Sequence, residues 1–198
     1  MEDIKKQYTI QWVGPFHSLE EAKTHRQGAK NDLFATPDCF TFYYFRGNKR
    51  GKGYRSSKFY SYFGIHKSLN GYHKRLNRAH EHFKDFHEND NLDIWIGALG
   101  DLNQFSSNVA EEIETIFIAM YKSANLLTEN ERKSKQKIEA LDETVCIINL
   151  WYDTQERPLK IKPDSVRPFH DVIVCEQDGK HPRYLVASKL VPWDQNGK

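Results

Sequence analysis

The chain has 198 residues, with 29 Lys and Arg against 27 Asp and Glu, a net charge of +2. Its 13% aromatic content supplies large side chains for the core of one domain. Apolar runs such as residues 145–148 and 116–120 fall far short of the roughly 20 residues that cross a bilayer, the start (Met-Glu-Asp-Ile-Lys-Lys) lacks the apolar stretch of a secretory leader, and the three scattered cysteines, at 39, 146 and 175, make no disulfide scaffold. Together these predict a reduced, cytoplasmic protein with no membrane segment.

In chain order, residues 7–13 alternate enough for a strand, which Gly14-Pro15 is expected to end. Ser18-Leu-Glu-Glu21 forms a capping box, with the Glu reaching back to the cap's own N–H, and opens a helix over about 19–30. Residues 39–45 and 58–65 are strongly β-prone and predict an antiparallel hairpin, with Gly and basic residues between them forming a long tip. Leu76, Ala79, Phe83 and Phe86 recur at helical spacing over 71–87. Residues 91–99 read as a third strand. Ser106, Ser107 and Asn108 offer caps to a helix with the apolar face Val109, Ile113, Ile116, Phe117 and Met120. Thr128-Glu-Asn-Glu131 reads as a second capping box, opening a charged helix to about 140. Residues 145–152, 170–176 and 184–191 read as strands in a β-rich tail.

The charge is unevenly placed. Residues 46–84 hold eleven Lys and Arg and one acid, Glu81, a net of +10 that leaves the rest of the chain at −8. His66, His73, His80 and His82 fall in the same window, interleaved with Tyr54, Phe59, Tyr60, Tyr62, Phe63 and Tyr72. Cations mixed with aromatics suit a polyphosphate, because each neutralised phosphate releases counterions. Lys49, Arg50, Lys52 and Arg55 of the tip are candidate contacts, with His66 and Arg78. The tip lacks the spacing of a nucleotide P-loop. His80 and His82, two residues apart on a helix, point about 200° apart and are unsuited to sharing a zinc ion.

Over residues 37–126 the chain resembles the GIY-YIG nucleases. The resemblance rests on Tyr62-Phe63-Gly64 at the end of the second strand, Arg75-Leu76 and His80 on the following helix, Ile94 to Leu99 as a third strand, and Glu114 through Asn125 on the last helix. Thr41-Phe42-Tyr43, or Asp38-Cys39-Phe40, stands where the first motif would fall, and the family's Pro before the closing Asn is absent. The resemblance implies an α+β fold: a small three-stranded antiparallel sheet flanked by helices, over 37–140. An N-terminal strand-helix extension (1–36) would precede it, and a β-rich section (141–198), a candidate for DNA recognition, would follow.

It further implies a metal-dependent DNA endonuclease of the restriction type. In that scheme Tyr62 activates or orients water, with Tyr43 as the first motif tyrosine and Lys67, Arg75 and His66 favouring its phenolate. Arg75, or Arg78, holds the scissile phosphate, and His80 or His82 donates to it. Glu114, or Glu111, holds Mg²⁺ or Mn²⁺, and Asn125 anchors backbone or water. The family's double-strand cutters act as dimers, which implies a homodimer. The alternative is a non-catalytic nucleic-acid-binding protein on the same scaffold.

Overall fold

A computed structural model describes residues 4–28, 40–50, 58–67, 83–86, 91–123, 126–127, 130, 143–178 and 181–187. The strands are β1 (Lys6–Phe16), β2 (Phe40–Asn48), β3 (Phe59–Ile65), β4 (Asp93–Leu99), β5 (Val145–Tyr152), β6 (Val172–Asp178) and β7 (His181–Ala187). Among the described residues there are two α-helices, α1 (Leu19–Gly28) and α2 (Ser107–Ser123). All seven strands join one mixed sheet in the order β3-β2-β4-β1-β5-β6-β7, curled into a half-barrel.

This corrects the expected small three-stranded antiparallel sheet flanked by helices. The three strands exist and pair as β3-β2-β4, but they do not form a sheet of their own. β4 has a second edge, and β1 lies antiparallel along it, from Ile10↔Leu99 to Phe16↔Ile94. On its other side β1 pairs in parallel with β5, from Lys6↔Val145 to Val13↔Tyr152. The physical reason is burial. Residues 40–45 and 94–99 are buried without a polar alternation, so both faces of these strands must be covered. A three-stranded sheet would also leave the backbone groups along β4's apolar edge unpaired. Residues from 1–36, 37–140 and 141–198 thus all contribute strands to one sheet.

Two apolar layers result. On one face Trp12, Phe42, Tyr44, Phe63, Trp95 and Trp151 pack under Ile113, Ile116 and Phe117 of α2. On the other, Val13, Phe16, Tyr43, Phe45, Tyr62 and Ile94 pack with Leu19 and Ala22 of α1 and with Phe83 and Phe86. Each indole N–H in the first layer has a partner in the C-terminal part of the chain. Trp12 donates to Asn149 Oδ1 at 2.9 Å, Trp95 to Ser165 Oγ at 3.2 Å and Trp151 to Asp171 Oδ1 at 3.1 Å.

Local signals are realised with shifts. β1 does not end at Gly14-Pro15 but passes through it to Phe16, because the register slips between Val13 and Phe16 and a proline is tolerated at such an irregularity. Ser18 Oγ caps Glu21 N–H at 3.0 Å as expected, whereas the Glu21 carboxylate accepts from His17 N–H at 2.7 Å, one residue before the cap. Ser106 Oγ caps α2 through Val109 N–H. Asn130, expected inside a capping box, instead lies buried against the outer edge of β3. Its amide accepts from Phe63 N–H at 2.9 Å and donates to Phe63 C=O at 2.6 Å, replacing a neighbouring strand. The expected helices over 71–87 and 128–140 and the hairpin tip fall mostly or wholly outside the described residues, as do Thr128, Glu129 and Glu131.

Two glycines are fixed by close approach. A Cβ on Gly64 would collide with the ring of Tyr43, its cross-strand partner, and one on Gly97 would lie 2.9 Å from the Trp12 ring. The glycine of the Tyr-Phe-Gly motif therefore has a packing role.

Asn130→Ala would leave the buried Phe63 N–H and C=O without partners, at about 1–3 kcal/mol each. We expect the thermal midpoint to drop by several degrees with the sheet retained. Calorimetry showing an unchanged midpoint would mean that water replaces the amide at no cost.

Candidate nucleic-acid interface

The β2–β3 hairpin runs from Phe42↔Ile65 to Asn48↔Phe59 and forms one edge of the sheet. Alternation places Phe42, Tyr44, Arg46 and Asn48 on one face and Tyr43, Phe45 and Gly47 on the other. Toward its basic end the polar face emerges from under α2. There the Arg46 guanidinium carbon lies 4.3 Å from the ring centroid of Phe59, a residue that is 41% exposed. On the opposite face the Lys58 ammonium lies 5.1 Å from the ring centre of Tyr60. Asn48 donates to Lys58 C=O at 3.0 Å and accepts from Asn91 at 3.3 Å, closing the end of the hairpin.

Lys49, expected to reach nucleic acid, is only 3% exposed; its ammonium sits 5.0 Å from the ring centre of Phe86 and 5.8 Å from that of Tyr60. A backbone bridge, Lys49↔Phe86, and the bond from Arg50 N–H to Asp85 C=O at 3.1 Å tie the hairpin to residues 83–86. Arg50 itself is exposed.

Tyr43 and Tyr62 lie together on the face opposite α2, with ring centroids 6.0 Å apart, and both rings are buried. Phe45 stacks on Tyr62 at 5.3 Å and meets Phe83 and Phe86 edge-on, each at 5.2 Å. Glu114 is buried on α2, which covers the Phe63 side of β3. Residues 62 and 63 point to opposite faces, so the sheet stands between the Tyr62 phenol and the helix carrying Glu114. Lys67, exposed, is ion-paired with Glu111. His66 is buried, and its backbone N–H donates to Thr41 C=O at 2.7 Å. Lys52, Arg55, Arg75, Arg78, His80 and Asn125 lie outside the described residues.

A hydrated Mg²⁺ on Glu114 was expected to sit beside the Tyr62 phenol. With the sheet between their elements, these two do not fit around one ion. Among the described residues no three His, Cys, Asp or Glu side chains are grouped to hold a metal, and no helix is long and apolar enough to cross a membrane.

The sequence reading missed a polar cluster beneath the C-terminal end of α2. The Lys162 ammonium donates to Asp171 Oδ1 at 2.7 Å and to Phe169 C=O, and the Asp171 oxygen also accepts from Trp151. Tyr121 Oη accepts from His170 N–H at 2.9 Å and lies 3.3 Å from His170 Nδ1. Burial pushes the Tyr121 phenol well up. The signal was faint, since Lys162 stands in a Pro-rich connection and His170 and Asp171 read only as the start of a tail strand. Arg46, Lys58 and Phe59 were visible only as members of the basic window.

No family model matches the chain, and no curated protein or solved structure matches it.

His170 is held below the ordinary imidazole value by burial and then by Lys162, against an opposing pull from Asp171. His25 is lowered by burial, against Glu156, whose carboxylate lies 3.5 Å away, and the backbone of Thr154. Both imidazoles bind protons more readily in the unfolded chain. Their contribution to stability is therefore complete above the ordinary value of about 6.5 and is lost as pH falls through the lower folded values. We expect the urea midpoint to fall between about pH 7 and 5, and His170→Gln to flatten part of that fall. An identical slope in the variant would remove His170 as a source.

Proposed function

We propose that this chain binds DNA through the basic end of the β2–β3 hairpin. The observation that carries this reading is the solvent-facing pair of Arg46 and Phe59, beside Lys58 and the exposed Arg50, where the +10 segment begins. Cations on a sheet edge meet phosphates without rearranging the core, and an aromatic ring among them offers a contact that phosphate alone does not. This is the non-catalytic alternative drawn from the sequence. It needs no convergence of Tyr62 with Glu114.

Metal-dependent phosphodiester cleavage is the second reading. What favours it is that Tyr43 and Tyr62 share a face with Phe83 and Phe86, to which the chain comes directly from the Arg75–His80 segment. It requires a carboxylate on that face, and Glu114 belongs to a helix on the other.

Binding to a labelled duplex, measured across a salt series, should weaken steeply. The slope of log affinity against log salt should flatten by about 0.9 for each phosphate contact removed in Arg46→Ala, Arg50→Ala and Lys58→Ala. Affinity absent at low salt, or independent of salt, defeats the DNA-binding reading. Incubating supercoiled plasmid with Mg²⁺ or Mn²⁺ separates the two readings. The first expects intact plasmid, whereas nicking that disappears in Tyr62→Phe establishes the second.

A further inference from the structure

We infer that the hairpin end takes an unpaired base stacked on Phe59, so that the preferred DNA is single-stranded. This rests on the DNA-binding reading and specifies its ligand.

The argument begins with position. Phe59, Ser61 and Phe63 point to one face of β3. Phe63 lies beneath α2, stacked on Phe117 at 4.7 Å, and Ser61 Oγ donates to Leu126 C=O at 2.5 Å. Phe59 is the next in that row and is left exposed, at the first position of an edge strand. A single exposed apolar ring is common and by itself means little. The surroundings of this one are uncommon. Arg46 holds a guanidinium at 4.3 Å from the ring centroid, Lys58 precedes it, and the segment beginning at Arg46 has eleven cations to one acid. An apolar protein partner would have to desolvate those charges. A polyanion with flat apolar faces is matched by them.

The platform is also held in place. Asn48, opposite Phe59 in register, fixes the strand end through Lys58 C=O and is itself bonded to Asn91. A ring on a braced strand loses little freedom on binding, so most of the stacking energy is kept. In a duplex, each base face is already occupied by its neighbours. Away from duplex ends only an unpaired base can present a face to Phe59, while its flanking phosphates lie within reach of Arg46 on the same face.

The test uses fluorescence anisotropy on the full chain with two labelled probes: a thymidine strand of about 15 nucleotides, a length one such surface can cover, and a blunt duplex of equal length. The single strand should bind more tightly. Phe59→Ala should weaken single-strand binding by about 5- to 150-fold, the worth of one stacked base, with the salt slope unchanged. Phe59→Trp should keep the affinity, and its added indole emission should be quenched by the thymidine strand. Thermal melts check that both variants fold. Wild-type affinity in Phe59→Ala, or tighter binding of the blunt duplex, overturns the stacked base and leaves DNA binding intact. Failure of every protein to bind either probe at low salt overturns both.

Discussion

The sheet depends on β1 having two partners. It pairs antiparallel with β4 and parallel with β5, so it joins the hairpin half of the sheet to the C-terminal half. Its side chains reinforce the join. Trp12 lies over Gly97 of β4, stacks on Trp151 of β5 at 5.5 Å and donates its indole N–H to Asn149 of the same strand. Without that strand, β4 and β5 would each have an open apolar edge, and the layer beneath α2 would be split in two.

This arrangement sets what each end of the sheet can do. The middle is apolar on both faces and closed to solvent. Buried polar side chains such as Asn149 and Asp171, and Asn130 at the edge of β3, are spent on internal donors and acceptors. At the β2–β3 end the core runs out, and Arg46, Lys58 and Phe59 reach solvent. Lys49 marks the boundary, since its ammonium lies over rings of the second layer instead of beyond them. The charged and aromatic side chains open to solvent therefore lie at an end of the sheet, while the tyrosines of the motif belong to its interior.

Much of the local structure was legible in the sequence. The β-prone runs, the helix around Ile113 to Phe117 and the caps at Ser18 and Ser106 follow from periodicity and side-chain chemistry close in sequence. The sheet order was not legible, because the pairing of Lys6 with Val145 connects positions that carry no mutual signal along the chain. The Tyr-Phe-Gly motif is open to two readings for a similar reason. Tyr62 and Gly64 have a sufficient explanation in packing, one in the aromatic layer and the other beneath Tyr43, and neither can be separated from a catalytic pattern by spacing alone. The basic window was legible as charge, but which of its cations face solvent depends on the fold, as the contrast between Lys49 and Arg50 shows.

The parallel alignment of β1 with β5 also bears on how the protein is made. β1 leaves the ribosome before the other strands of this sheet and must wait for residues 145–152 before one of its two edges is satisfied. Until then its exposed edge can recruit strands from other chains. A pairing so distant in sequence slows the final closure, so nascent chains halted before residue 145 are the species most in need of a chaperone.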